Sequence, residues 1–396
     1  MAPRSTSKFP ASSCSAPEAE VLARRIVLSA NSDWNIANFR PGLIRALRGA
    51  GYEPVVIAPQ DPAADSRMRQ LDIERIPLRI DRAGLNPWSD FVLLLTYRRL
   101  LRRLRPAAYL GFTIKPNIYG ALAAASLGIP AIANVSGLGT AFMRRGPLQG
   151  LVTNLYRVGF RKAPVIFFQN TEDRRLFLDR NIIRGDQARL LPGSGVDLDR
   201  FAPVAATDGP AIFLLIARLL RDKGVIEFVE AARSLRAVLP EARFQLLGPL
   251  DPGNRTAIGR PDLDRWVGEG VVEHLGTTDD VRPFIAAATA VVLPSYREGM
   301  PRSLLEAGAM SRPLIATDVP GCRDIVEDGV NGYLCAVRDS SSLASAMSRM
   351  AGLPQDIRLA MGDAARRKVQ DRFSEEVVIE AYLNALADLE PVLPRS

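Results

Sequence analysis

The stretch AVVLPSYREGMPRSLLEAGAMSRPLIATD (residues 290–318) contains the features that decide the fold. The apolar run at residues 290–293 predicts a buried strand, and a glycine-containing loop follows it. Pro301 stands where a helix would begin, because proline is tolerated at the first helical position. That helix must end before Pro313, and residues 314–317 form the next apolar run. The order strand, loop, helix, strand predicts one unit of a parallel sheet.

The same alternation occurs twice along the chain of 396 residues. The first series of predicted strands covers residues 25–30, 53–58, 108–111, 131–135 and 165–169. The second series covers residues 211–216, 243–247, 271–274, 290–293 and 314–317. Two such series predict an α/β protein with two doubly wound, Rossmann-like domains that face each other across a cleft.

We expect four segments. Residues 1–22 have no apolar core and are interpreted as a mobile tail rather than a secretion signal. The first domain is predicted at 23–190 and the second at 210–375, because the segment between them has little periodicity. Residues 376–396 are predicted to form a C-terminal helix that crosses back to the first domain.

The composition excludes several classes of protein. No run of about 18 apolar residues is present, so we expect no membrane span. The three cysteines, Cys14, Cys322 and Cys335, have no metal-ligand spacing and predict no disulfide framework, which favours a cytoplasmic protein. His274 is the single histidine, so a zinc site with several histidines is excluded and we predict no metal. We expect the His274 side chain to pack in a core.

The charge is uneven. The net charge is +8, and residues 91–171 contain no acidic residue. Eleven basic residues lie in that segment: Arg98, Arg99, Arg102, Arg103, Arg105, Lys115, Arg144, Arg145, Arg157, Arg161 and Lys162. This pattern indicates a surface that faces nucleic acid, a diphosphate or an anionic membrane, although a generally arginine-rich composition is an alternative.

A predicted helix near residues 87–105 has two unlike faces. Its core stripe consists of Leu93, Leu94, Tyr97, Leu100, Leu101 and Leu104. The opposite side carries the residues predicted to dock on a membrane, Trp88, Phe91, Arg98, Arg99, Arg102 and Arg103, together with Val92 and Leu95. The alternative is a helix buried on both sides, with its arginines solvated at one end.

Two segments have the residue types of a nucleotide-sugar site. The free N–H groups of Arg302, Ser303 and Leu304 begin the helix after Pro301 and suit a phosphate, while Glu298 and Glu306 flank them. The segment IARLLRDKG (residues 216–224) follows the first strand of the second domain and supplies Arg218 and Lys223. Two cations opposite a helix N-terminus can neutralise a departing diphosphate, which would make a divalent metal unnecessary.

These segments resemble a known family. The spacing Glu298-x7-Glu306, with ARLLRDKG before it and TDVPGCRDIVEDGVNGYL (residues 317–334) after it, is similar to the family 4 retaining glycosyltransferases with the two-Rossmann-domain B fold. Four further segments, GFTIKPNIYG, NVSGLGTAF, LPGSGVDLDRF and LPSYREGMPRSLLEA, resemble the subgroup that adds an N-acetylhexosamine to undecaprenyl-diphosphate-linked sugars, that of the bacillosamine α-1,3-N-acetylgalactosaminyltransferases.

The resemblance implies a function and a site. The expected reaction moves GalNAc or GlcNAc from a UDP-sugar to a polyprenyl-diphosphate-linked sugar in surface glycan assembly, without cofactor or metal, on the inner face of the cytoplasmic membrane. Catalytic roles fall on Glu298, Arg218 and Lys223. The implied donor-binding residues are Arg218, Lys223, Thr278, Glu298, Gly299, Met300, Arg302, Ser303, Leu304 and Glu306, with the backbone at Thr278 reading uracil and Glu306 holding the ribose.

The first domain departs from the family pattern. The first loop reads SANSDWN instead of carrying paired glycines, and Lys115 occupies the region where many members have a histidine near the acceptor. We therefore predict that the acceptor binds Lys115, Asn117, Ser136, Gly137, Gly139 and Thr140, the last four in a loop that can bind an anion through its backbone.

Other functions stay open at this point. A family 4 hexosyltransferase with a different donor or acceptor is the nearest alternative. A UDP-sugar epimerase shares the fold but relies on several histidines. A nucleic-acid-binding protein would explain the basic half, yet no aromatic residues alternate with the basic ones in a recognition motif, so we expect no nucleic-acid partner.

Overall fold

A computed structural model describes residues 24–81, 86–137, 147–205 and 209–389. The predicted tail at 1–22 lies outside these residues. Within them the chain forms two parallel sheets with helices on both faces, and this confirms the predicted fold class. None of the described helices is long and apolar enough to cross a membrane.

The first sheet has the strand order β3-β2-β1-β4-β5-β6-β7. Its strands are β1 (Arg24–Ser29), β2 (Tyr52–Ala58), β3 (Glu74–Pro77), β4 (Ala108–Gly111), β5 (Ala131–Val135), β6 (Val165–Phe168) and β7 (Ala188–Leu190). Its helices are α1 (Asp33–Phe39), α2 (Pro41–Gly49), α3 (Asp65–Gln70), α4 (Pro87–Leu104), α5 (Ala121–Ala125), α6 (Pro147–Phe160) and α7 (Thr171–Asp179). A π-helical turn, Pro116–Gly120, precedes α5.

The second sheet has the order β10-β9-β8-β11-β12-β13. Its strands are β8 (Ile212–Ile216), β9 (Arg243–Leu247), β10 (Glu273–His274), β11 (Ala290–Leu293), β12 (Leu314–Thr317) and β13 (Gly332–Cys335). Its helices are α8 (Val225–Leu235), α9 (Arg260–Gly268), α10 (Arg282–Ala287), α11 (Arg302–Ala309), α12 (Cys322–Ile325) and α13 (Ser340–Gly352). Two helices follow, α14 (Gln355–Phe373) and α15 (Glu375–Ala387).

Three strands are absent from the sequence-based prediction: β3, β7 and β13. All three are edge strands, and their sequences, ERIP, ARL and GYLC, lack the uninterrupted aliphatic run of a predicted four-residue strand such as AVVL of β11. The strand predicted at 271–274 is also shorter in the structure, because Val271 and Val272 pack in the core before pairing with β9 begins.

The order of strands reverses once in each sheet. In the first sheet β1 pairs with both β2 and β4, and in the second β8 pairs with both β9 and β11. At such a reversal the following helices lie on opposite faces, which leaves a crevice beyond the carboxyl ends of the two strands. The fold therefore offers two crevices, one at β1/β4 and one at β8/β11.

The C-terminal helix α15 packs on the first sheet. Val378, Tyr382, Ala385 and Leu386 join the core cluster that contains residues of β1, β4 and β6. The Tyr382 hydroxyl is buried and accepts a hydrogen bond from Asn134 Nδ2 at 2.7 Å. The end of the chain thus ties the β5 strand of the first domain to the helix that leaves the second.

Helix α4 has one buried and one exposed face. Leu93, Tyr97, Leu101 and Leu104 are buried, with Leu94 and Leu100 packed beside them. The opposite side exposes Trp88, Phe91, Val92, Leu95 and the four arginines, and Trp88 retains 71% of its accessible surface. The alternative of a helix buried on both sides is wrong.

Candidate functional site

The β8/β11 crevice contains a half-buried ion pair. Lys223 Nζ donates to Glu298 Oε1 at 2.5 Å, and Ser295 Oγ donates to the same oxygen at 2.6 Å. Ser295 is itself buried, and its carbonyl accepts a hydrogen bond from the Thr317 hydroxyl. An ammonium and a hydroxyl thus hold one oxygen of the Glu298 carboxylate, which fixes the carboxylate in position. Its other oxygen is available to a ligand.

The backbone around Gly224 brings Lys223 to this position. A single 3₁₀ turn, Arg221–Lys223, ends at Gly224, whose φ is +73°. A Cβ at residue 224 would lie 2.1 Å from the Pro294 carbonyl oxygen, so only glycine allows the turn to approach the loop after β11. The Tyr296 N–H also donates to Asp222 O at 3.0 Å, which holds turn and loop together.

Helix α11 points its N-terminus into the crevice. Its N-cap is Pro301, and no side chain caps the helix. The N–H groups of Arg302, Ser303 and Leu304 therefore lack an intrahelical acceptor and carry the positive end of the helix dipole. One turn further on, Arg302 Nε donates to Glu306 Oε1 at 2.7 Å, so Glu306 faces the same end of the helix.

Arg218 and Thr278 lie at the rim of the crevice. Arg218 is exposed, and its Nη1 donates to Asp251 Oδ2 at 2.7 Å. Thr278 is exposed as well, and its Oγ1 accepts from the Asp280 N–H at 3.1 Å. The loop after β9, which carries Asp251, is joined to the loop of Thr278 where the Gly248 N–H donates to Gly276 O at 2.8 Å.

His274 ends β10 next to these loops. It is half-buried, with Nε2 3.1 Å from Gly248 O, so it supports a loop in addition to packing beside the sheet. Across the described residues, no group of three His, Cys, Asp or Glu side chains is arranged to hold a metal ion.

The first domain holds the loop that carries Glu298. Arg297 forms an ion pair with Asp173, and Asn170 Nδ2 donates to Gly299 O at 3.2 Å. Both Asn170 and Asp173 are buried at the start of α7, where Asn170 also caps the helix. Burial raises the pKa of Asp173, and the Arg297 guanidinium opposes that shift.

Gly299 is in close contact with the first domain. A Cβ on this residue would lie 2.2 Å from Ser136 O and 2.9 Å from Gln169 Oε1. Gly137, also predicted to bind substrate, faces the same glycine. The predicted donor residue Gly299 and the predicted acceptor residues Ser136 and Gly137 therefore meet at one point of the cleft.

Lys115 and Asn117 follow β4 at the β1/β4 crevice, and Lys115 already has a partner. Its Nζ donates to Asp90 Oδ1 at 2.6 Å, and Tyr119 OH donates to Asp90 Oδ2 at 2.8 Å. A phosphate at Lys115 would have to share that ammonium with Asp90. Asn117 is buried with its Nδ2 bonded to Asn134 O, whereas the Oδ1 atoms of Asn117 and Asn134 have no hydrogen-bond partner in the part of the chain that the structure describes. Gly139 and Thr140 lie outside the described residues.

Two family models match this architecture. The model described as "Glycosyl transferase 4-like domain" matches residues 36–194, and "Glycosyl transferases group 1" matches residues 210–352. The two models together span most of the chain, and the chain belongs to the glycosyltransferases. The two matched segments follow the division into two sheets, so both domains carry the family signature.

Individual glycosyltransferases match over most of the chain. One from Campylobacter jejuni, an N,N'-diacetylbacillosaminyl-diphospho-undecaprenol α-1,3-N-acetylgalactosaminyltransferase, is 28% identical over 91% of this chain and 97% of its own length. An Escherichia coli UDP-Gal:α-D-GlcNAc-diphosphoundecaprenol α-1,3-galactosyltransferase is 23% identical over 66% of this chain and 70% of its own. Among solved structures, Anabaena HepE in complex with UDP and glucose has a TM-score of 0.76 at 17% identity, covering 92% of this chain and all of the other.

Sequence reasoning missed four residues of this glycosyltransferase site: Asp173, Asn170, Ser295 and Asp251. Ser295 stands three residues before Glu298, within the segment that decides the prediction. Asp173, Asn170 and Asp251 contact Arg297, Gly299 and Arg218 from distant parts of the chain, so for these three the spacing of residues contains no signal. Only Asn170 leaves a local trace, because an asparagine before Thr-Glu-Asp is a helix N-cap pattern.

We predict that Gly299→Ala reduces turnover by the glycosyltransferase about 100-fold, since displacing a reacting group by about 1 Å has an effect of this size. The new Cβ must move the Glu298 loop away from Ser136 O, while the chain still folds. Initial rates and a thermal unfolding curve measure the two effects.

The matched control is Gly268→Ala at the end of α9, where a Cβ would meet no atom within 4 Å. Equal activity of the two variants would contradict the close approach at Gly299.

Proposed function

We propose that this glycosyltransferase moves an N-acetylhexosamine of the GalNAc or GlcNAc type from a UDP-sugar to a polyprenyl-diphosphate-linked sugar. The transfer retains the anomeric configuration and needs no metal ion. The ion pair between Lys223 and Glu298 carries the proposal, because it puts a cation and a fixed carboxylate beside the N-terminus of α11.

The donor is oriented by the residues around this pair. The diphosphate lies between Lys223, Arg218 and the free N–H groups of α11, while Glu306 accepts hydrogen bonds from the ribose hydroxyls. The loop at Thr278 borders the base, and the carboxylate of Glu298 faces the hexose. Arg302 keeps Glu306 directed at the helix terminus through its 2.7 Å hydrogen bond.

In the reaction, the bond between the anomeric carbon and the diphosphate oxygen breaks, and a bond from that carbon to the acceptor hydroxyl oxygen forms on the same face. The acceptor proton passes to the departing diphosphate. Negative charge grows on that diphosphate as the bond breaks, so preorganised cations and helix amides stabilise the transition state more than the ground state.

The relatives support this choice of substrates. The Campylobacter jejuni and Escherichia coli enzymes are both named for transfer to a sugar carried on undecaprenyl diphosphate, and the first is named for transfer of N-acetylgalactosamine. The second names a UDP-galactose donor, so a family 4 hexosyltransferase with a different donor is the alternative that the assay must separate.

The test is UDP release from a panel of UDP-sugars, in the presence of EDTA, with a polyprenyl-diphospho-sugar as acceptor. We expect release with a UDP-N-acetylhexosamine only when the acceptor is present, and a product whose anomeric configuration by NMR equals that of the donor. Glu298→Gln should lower kcat by about 100-fold or more, as loss of one electrostatic group in an active site does.

Glu273→Gln is the matched control, because Glu273 is paired with Arg243, the first residue of β9, at the opposite end of that strand from the crevice. Turnover with another UDP-sugar only would show that the donor is not an N-acetylhexosamine, while the protein would remain a family 4 hexosyltransferase. Inversion of configuration, or activity abolished by EDTA, would contradict the mechanism.

We also propose that the enzyme docks on the inner face of the cytoplasmic membrane through α4. Its exposed face carries an apolar patch at Trp88 and Phe91, whose rings lie 6.0 Å apart, and continues into four exposed arginines. Residues 91–171 contain no carboxylate that would repel anionic lipid. Aromatic rings insert at the level of the headgroups, and each arginine near the surface adds attraction.

Flotation with anionic liposomes tests the docking. The variant changes Trp88, Phe91, Arg98 and Arg102 together to serine. Loss of the two arginines alone should weaken membrane binding about 30-fold, because each contributes about 1 kcal/mol of attraction. The control changes two exposed valines and two exposed arginines of the second domain, Val238, Val267, Arg260 and Arg265. Equal flotation of both variants would exclude α4 as the docking surface.

A further inference from the structure

Arg40 is a buried cation that forms no ion pair within the described residues. It lies between α1 and α2 and keeps only 3% of its accessible surface. Its guanidinium stacks on the Phe112 ring, with Cζ 4.5 Å from the centroid. Nε and Nη1 are closed off from solvent and have no hydrogen-bond partner among the described residues.

Such an arrangement destabilises a protein, since a buried charge is tolerated only when it is paired or hydrogen-bonded. Desolvation lowers the pKa of Arg40, but an arginine remains protonated in proteins. Glu375, whose carboxylate favours the charged form of Arg40, forms its hydrogen bond elsewhere, because its Oε1 accepts the Gly42 N–H at 3.2 Å. Packing alone therefore gives no reason for an arginine at this position.

The position of Arg40 relates it to both crevices. Phe112, on which it stacks, directly follows β4, and its N–H donates to Ser29 O at the end of β1 at 3.0 Å. These are the two strands at which the order of the first sheet reverses. On the other side stands Arg302 of α11, whose guanidinium lies 5.1 Å from the ring of the neighbouring Phe39.

The two arginines are electrostatically unfavourable neighbours. The charge of Arg302 disfavours the charged form of Arg40, although Arg302 itself is balanced by Glu306. A dianionic group bound between the two domains would give the guanidinium of Arg40 its missing hydrogen bonds and would remove this repulsion.

We infer that Arg40 is a further substrate-binding residue, which binds the phosphate oxygens of a diphosphate. The inference rests on the proposed function, in which both substrates carry that group: the UDP-sugar and the lipid-linked acceptor. A planar guanidinium with several N–H donors suits two phosphate oxygens at once, and the Phe112 ring holds its plane in place.

The test compares Arg40→Met, Arg40→Lys and the control Arg48→Met. Arg48 is an exposed arginine of α2 that donates to the Leu71 carbonyl at 2.7 Å. Calorimetry measures the affinities for inorganic pyrophosphate and for UDP, a transfer assay measures the acceptor KM, and thermal unfolding reports stability. Arg40→Lys keeps the charge, so it still tests the inference if the methionine variant does not fold.

We expect Arg40→Met to weaken the binding of one of the two substrates at least about 10-fold, because a charge-assisted hydrogen bond is lost. Arg40→Lys should recover part of this binding. The Tm of Arg40→Met should equal or exceed that of the wild type, because an uncompensated buried charge is removed. If the affinities for UDP and pyrophosphate fall, Arg40 binds the diphosphate of the donor. If only the acceptor KM rises, Arg40 binds the diphosphate of the acceptor.

Unchanged affinities and an unchanged acceptor KM, or a lower Tm as the only effect, would overturn the inference and make Arg40 a structural residue. Failure of the proposed function is a separate result, since wild-type protein that transfers no sugar can still be compared with the variants for pyrophosphate binding.

Discussion

The contact between Gly299 and the backbone of Ser136 is the constraint on which the site depends. It leaves no room for a side chain at residue 299, and the ion pair of Arg297 with Asp173 holds the loop there from the other side. The second domain supplies Glu298, but the first domain fixes where its loop can lie. The catalytic carboxylate of the proposed reaction is therefore positioned by both domains at once.

This constraint joins the two crevices into one cleft. The reversal at β8/β11 presents a cation, a carboxylate and a helix N-terminus, which suit a nucleotide-sugar. The reversal at β1/β4 presents unpaired amide oxygens and the buried Arg40, which suit a polar ligand. Because α15 leaves the second domain and packs on the first sheet through Tyr382, the C-terminal chain also links the parts that hold the two substrates.

The sequence predicts much of the fold, because strands buried on both faces appear as uninterrupted apolar runs. Residues 108–111, 131–135, 243–247, 290–293 and 314–317 form strands with the expected bounds. The edge strands escape prediction because pairing on one side needs little apolar sequence. In the site, Lys223 and Glu298 were predicted from local motifs and lie in contact, whereas Asp173 and Arg40 depend on distant segments that only the folded chain brings together.

The central claim is that the two crevices bind different substrates, the nucleotide at β8/β11 and the lipid-linked acceptor at β1/β4. Hydrogen–deuterium exchange of the full chain, with UDP alone and with a short polyprenyl-diphospho-sugar alone, tests it most directly. We expect UDP to slow exchange mainly in residues 276–280 and 298–306, and the acceptor to slow it mainly in residues 112–120. Protection of residues 112–120 by UDP, with no change at 298–306, would mean that the nucleotide binds at β1/β4 instead.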